Sequence, residues 1–98
     1  MELETYNEIA ELLKVLGHPA RLCIVDGLLK NPGCNVTFMQ SCLSIPQSTV
    51  SQHLAKLKSA HIIEGKREGL EIKYKVINPM AIVIIQVLLK EQSTTPSK

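Results

Sequence analysis

A chain of 98 residues with 45% hydrophobic and 20% charged side chains has room for one domain around one core, which excludes a second domain and argues against disorder. Three cysteines, an odd number, make no disulfide framework and fit a reducing compartment, and the overall charge of +2 carries little information until it is divided along the chain. The start MELETYNE lacks the basic and apolar character of a secretory signal, and no apolar run nears the roughly 18 residues of a membrane span, so the cytoplasm is expected, with no membrane partner.

Ile9, Leu12, Leu13 and Leu16 recur at helical spacing, which predicts a first helix over residues 4–16 stopped by Gly17. Pro19 opens a second helix, apolar at Leu22, Ile24, Val25, Leu28 and Leu29, and Asn31-Pro32-Gly33 ends it. Val36 reads as a short buried strand residue, after which Thr37 caps a brief third helix bearing Met39 and Leu43. Pro46 then fits the first turn of a fourth helix reaching to about residue 59, with Val50, Leu54 and Leu57 directed inward. The pattern changes to period two over residues 62–66 and 70–77. Ile72, Tyr74 and Val76 share one face, and Arg67-Glu68-Gly69 forms the turn. Asn78-Pro79 closes this hairpin before a final helix over residues 80–91, dense in Ile, Val and Leu.

The expected fold is therefore mainly α with a small β-hairpin: a winged helix-turn-helix of five helices plus a wing, in which the second helix of the tight pair enters the major groove. Residues 1–91 form the DNA-binding and dimerisation domain. Residues 92–98 (QSTTPSK) offer nothing apolar to bury and are expected to form a disordered tail. Charge supports the assignment, because residues 46–78 hold six basic and three acidic side chains whereas residues 1–45 hold three and five. Gln47, Ser48, Thr49, Ser51, Gln52, His53 and Lys56 are left to face outward on the fourth helix. Three of them, Ser48, Thr49 and Ser51, are poor helix formers, so something other than helix stability selects them. Glutamine pairs bidentately with adenine, and serine or threonine serves bases or phosphates. Lys66 and Arg67 add phosphate contacts from the wing.

The string Pro46-Gln47-Ser48-Thr49-Val50-Ser51-Gln52-His53-Leu54 resembles the recognition helix of the ArsR/SmtB family of bacterial repressors. Leu16-Gly17-His18-Pro19-Ala20-Arg21-Leu22 is similar to the start of that family's second helix, residues 58–63 to its helix-to-wing junction, and Lys66-Arg67-Glu68-Gly69 to its wing. Together these cover roughly residues 12–77. The resemblance implies a homodimeric repressor on an inverted-repeat operator, released by an inducer. Ser44 stands where the family turn often has glycine, at a cost of about 1 kcal/mol if the position is left-handed. Leu70 replaces a common polar wing residue.

Metal-sensing relatives bind thiophilic ions through a Cys-Val-Cys pattern, but Asn35 and Thr37 occupy those positions here. Other relatives use Asp and His on the last helix, and residues 80–91 contain neither. No metal ligand and no cofactor is therefore expected. His18 and His61 read as a helix cap and a junction residue, and His53 as a phosphate or packing contact. Cys34 and Cys42 could form a thiol switch, against the plainer reading of Cys23 and Cys42 as small hydrophobes and Cys34 as the exposed thiol.

A final helix apolar around most of its circumference cannot face water in so small a monomer. Leu3, Tyr6, Ile9 and Leu13 of the first helix and residues 82–89 of the last, Ile82, Ile85, Leu88 and Leu89 among them, are the expected homodimer interface, which would set two recognition helices about one DNA turn, roughly 34 Å, apart. The partners are thus double-stranded DNA and a second copy. The competing reading is a winged-helix module that binds protein. An enzyme fits least, because no glycine-rich phosphate loop or paired acid-base motif is present.

Overall fold

In the computed structural model, which describes residues 2–33 and 35–94, helix α1 (Leu3–Leu16) buries Leu12 and Leu16, and Gly17 caps it by donating its N–H to the Lys14 carbonyl. The chain reverses at once into α2 (Pro19–Lys30). Pro19 occupies the first helical position, where its missing N–H costs nothing. His18 is the N-cap, and its Nδ1 accepts the Ala20 N–H at 3.1 Å. Arg21 reaches back to give its Nη1 proton to the Val15 carbonyl at 3.0 Å, satisfying one of the last carbonyls of α1. Ile24, Val25 and Leu28 carry α2 through the core.

Val36 begins α3 (Val36–Leu43) and is not the strand residue expected from its β-branched side chain. The Met39 N–H bonds the Asn35 carbonyl at 3.2 Å, so the first helical turn closes one residue before Val36 and local helix formation overrides its β propensity. The strand-like role falls instead to Gly33 at φ +86°, whose N–H donates to the Tyr74 carbonyl at 3.0 Å and ties the loop to the hairpin.

Ser44 turns the chain with φ +59°, in the left-handed region where a glycine would be free of strain, and α4 (Gln47–Ser59) follows with Pro46 as its N-cap. Val50, Leu54 and Leu57 are buried, as their spacing predicts. The helix ends in two reciprocal bonds: the Ile62 N–H reaches the Leu57 carbonyl at 3.0 Å and the His61 N–H reaches that of Lys58 at 2.9 Å. This is the Schellman arrangement, with His61 at φ +59° where glycine is usual.

Strands β1 (Ile63–Glu68) and β2 (Glu71–Val76) pair antiparallel from Ile63 opposite Val76 to Glu68 opposite Glu71. Arg67 and Glu68 lie in the ladder and not in the turn, which consists of Gly69 and Leu70 alone. Gly69 at φ +68° supplies the first central residue of a two-residue hairpin loop, and the apolar side chain of Leu70 conceals the second from a composition-based reading.

Asn78 then caps α5 (Pro79–Thr94), its Oδ1 accepting the N–H groups of Met80 at 2.9 Å and Ala81 at 3.1 Å. The helix runs past residue 91, where the sequence pattern ended it, and residues 95–98 of the expected tail lie outside the described residues. Ala81 and Ile85 project into one core shared with α1, α2, α4 and the hairpin. Ile85 is 1% exposed, which removes it from the expected dimer interface: an aliphatic side chain enclosed by its own protomer has no surface to offer a second one. Leu89 also packs partly against this core.

Candidate nucleic-acid interface

Burying Val50, Leu54 and Leu57 fixes the rotation of α4 and so decides what it shows to solvent. Gln47, Ser48, Ser51, Gln52 and Lys56 are exposed along one side, while Thr49 and His53 are half-buried at its margins. The exposed row is uncharged over its N-terminal two turns and becomes basic at Lys56 and Lys58. Short hydrogen-bonding groups at the leading end and cations behind suit base edges and phosphates respectively.

His53 turns away from this row toward α2. Its ring lies against that of His18, with centroids 4.5 Å apart and planes tilted by 51°. Burial, then the neighbouring charges of His18 and Arg21, holds its imidazole below the usual value. The sequence reading allowed a packing contact at His53 but not this partner. The His18 cap is as expected, and His61 sits exposed in the junction between α4 and β1.

The hairpin register separates two residues that the sequence grouped together. Arg67 pairs with Ile72 and so shares the face of Gly65 and Tyr74, whereas Lys66 pairs with Lys73 on the opposite face. Both are exposed. Lys73 and Lys75 lean on Glu68 and Glu64 at 3.5 and 3.6 Å, solvent-exposed pairs of small energetic weight. Leu70 projects from the tip almost wholly into solvent.

Of the residues expected at a homodimer contact, Leu3, Tyr6, Leu13 and Leu88 are at least half exposed, and Ile9 and Ile82 are partly covered. Val83 and Val87, within the expected stretch 82–89, are exposed as well, and so is Met80, which lies outside it. Their signal was present only in part: Val83 and Val87 lie four residues apart, but so do Ala81 and Ile85 on the buried side. Ile9 and Leu12 of α1 line a cleft together with Met80 and Val83 of α5, which puts the two helices on one side of the protomer.

Cys23 is exposed on α2 and not the small buried hydrophobe expected from its place in an apolar helix. The helix turns it away from Ile24 and Val25, which enter the core. Of the possible redox pair, Cys34 and the side chain of Cys42 lie outside the described residues. Among the described residues no group of three or more His, Cys, Asp or Glu side chains gathers, and no helix is long and apolar enough to cross a membrane.

A tight pair of helices whose second member presents a polar, uncharged row, followed by a hairpin edged with lysine and arginine, defines a winged helix-turn-helix of the DNA-binding class. A family model described as a helix-turn-helix domain matches residues 16–66. The transcriptional repressor PagR of Bacillus anthracis is 44% identical over 88 residues, covering 90% of this chain and 88% of that protein. Its crystal structure superposes with a TM-score of 0.80 at 45% identity, over 89% of this chain and 99% of that one. The repressor SmtB of Mycobacterium tuberculosis is 38% identical over 73 residues, 74% of this chain and 53% of that protein. HlyU from Vibrio cholerae, at 28% identity, gives a TM-score of 0.86 over 96% of this chain and 100% of that chain. The chain belongs to the ArsR/SmtB family of winged helix-turn-helix, DNA-binding transcriptional repressors.

Proposed function

We propose that the protein represses transcription in the cytoplasm as a homodimer that reads an inverted-repeat operator, without a metal as its signal. The observation that carries this reading is the exposed row Gln47, Ser48, Ser51 and Gln52 on a helix anchored by Val50, Leu54 and Leu57. Gln47, Ser48, Ser51 and Gln52 contact base edges; Thr49, His53, Lys56, Lys66 and Arg67 contact the backbone. Two copies meet through α1 and α5, where Leu3, Tyr6, Leu13, Val83, Val87 and Leu88 present an apolar surface that a monomer would leave in water. Metal independence is supported by Asn35 and Thr37, neither of them a thiol, at the positions where metal-sensing relatives carry the cysteines of a Cys-Val-Cys pattern.

The test is footprinting on DNA upstream of the protein's own gene, with titrations across salt and with added zinc or oxidant, alongside a solution mass measurement. A protected pair of half-sites, affinity that falls steeply with salt, a dimeric mass and indifference to zinc are expected. A monomeric mass, or binding to DNA that ignores ionic strength, overturns the reading, and zinc-dependent release overturns its metal-independent part. Release by oxidant would instead favour Cys34 and Cys42 as the sensing pair.

A further inference from the structure

Behind the exposed row of α4 three basic side chains converge where α2 begins. The rings of His18 and His53 are in contact, and Arg21, in the first turn of α2, acts electrostatically on the same imidazole. Arg21 spends its Nη1 on the Val15 carbonyl, yet its Nε is buried and has no hydrogen-bond acceptor among the described residues. The surroundings hold little to balance them. On α4 the nearest charged residue one turn along is Lys56, α3 contains no Asp, Glu, Lys, Arg or His, the α1 carboxylates Glu8 and Glu11 border Ala60 and His61 beyond the far end of α4, and the β1 carboxylates Glu64 and Glu68 are engaged with Lys75 and Lys73. His18 is committed as a cap: its Nδ1 accepts the Ala20 N–H, so the neutral ring carries its proton on Nε2. His53 caps no helix among the described residues and is half-exposed beside the recognition surface.

We propose that Arg21 and His53 form a seat for one phosphodiester of the DNA backbone, and that His53 takes up a proton as the phosphate docks. The inference rests on the DNA-binding reading above. In the unbound protein burial and two basic neighbours favour the neutral imidazole. A phosphate beside the ring reverses that preference by stabilising the imidazolium and offsetting its repulsion from Arg21. The complex then binds more protons than its separated components, so affinity rises as pH falls through the imidazole range, by at most about tenfold per pH unit for one proton.

A phosphate contact is indifferent to sequence, so a random-sequence duplex serves as probe, titrated by fluorescence anisotropy at fixed ionic strength between about pH 7.5 and pH 5.5. The full-length wild-type chain is expected to bind several-fold more tightly at the acid end, and His53→Gln to lose most of that slope while His18→Asn, which keeps a capping side chain, retains it. NMR titration of the His53 ring in the wild-type chain, with and without duplex, is expected to give a higher pKa in the complex, and this readout does not depend on any variant folding. An unchanged slope in His53→Gln, or an imidazole whose titration ignores DNA, overturns the phosphate seat alone. No binding to the duplex at any pH or salt overturns the DNA-binding reading itself.

Discussion

Tyr74 occupies the space that a side chain on Gly65 would need. The two residues face each other across the hairpin, and a Cβ built on Gly65 would lie 2.9 Å from Tyr74 Cε1 and 2.8 Å from Ile72 Cγ2. Tyr74 is held in the core and cannot swing aside as a surface side chain could. Gly65→Ala should therefore force the ring or the strand to shift and destabilise the fold by about 1–3 kcal/mol. The check is thermal unfolding, where each kcal/mol lowers Tm by about 4–8 °C in a domain of this size. An unaltered Tm would mean that the hairpin gives way without cost.

Ser44 offers the opposite experiment. Its φ of +59° forces a Cβ-bearing residue into the left-handed region at the turn between α3 and α4, where its N–H still bonds the Gln40 carbonyl at 2.9 Å. Ser44→Gly removes that strain but adds freedom to the unfolded chain, so a net gain of about 0.5 kcal/mol is expected from denaturant unfolding. A loss would show that the serine hydroxyl contributes more than the backbone costs.

These two positions differ in how far the sequence discloses them. Ser44 was legible only through the resemblance, because the family's turn often has glycine at that place. Gly65 was not, since its partner is fixed only once Gly69 and Leu70 set the hairpin register, and Leu70 carries no turn signature of its own. The helices that lean on one face, α1 and α4, declared themselves by periodicity. The last helix did not declare which side is inward, because an apolar residue stands at nearly every position from Met80 to Ile85 and a period cannot be read from a continuous run. The contact of His18 with His53 joins residues remote in sequence, and nothing local to either one encodes it.

Ile85 and Val87, two residues apart on α5, should separate folding from assembly. Ile85 is enclosed in the core, and Ile85→Ala is expected to cost about 2–5 kcal/mol of stability. Val87 is 66% exposed, so Val87→Glu should leave the protomer folded while placing a charge in the apolar contact proposed between copies. Circular dichroism and solution mass together distinguish them: a folded monomer is expected from the second variant. A Val87→Glu chain that remains dimeric moves the interface off this face of α5.

The reading surface predicts a division of labour. Gln47→Ala or Ser51→Ala should change which operator is preferred, because these groups are the ones proposed to meet bases. Lys56→Ala and Arg67→Ala should weaken binding by similar factors on specific and random duplexes and reduce the salt dependence by about one charge each. Register adds that Lys66 and Arg67 lie on opposite faces of the wing, so Lys66→Ala and Arg67→Ala should differ in effect. Equal losses for all of these variants on both kinds of DNA would dissolve the distinction between reading and anchoring.

Acid should act on the protein alone in the reverse sense to its effect on the complex. The imidazole of His53 is held below its ordinary value in the folded chain and relaxes to about 6.5 on unfolding, so the unfolded state binds the proton more readily. The contribution of the neutral ring is intact above the unfolded value and is lost as pH falls from there toward the lowered folded one. In the absence of DNA the wild-type Tm should thus decline between about pH 7 and pH 5.5 more steeply than that of His53→Gln. Adding a duplex should flatten or invert that decline only in the wild type, since only there can a phosphate offset the charge placed beside Arg21. Parallel melting curves for the two chains across this range would mean that the ring titrates alike in the folded and unfolded states.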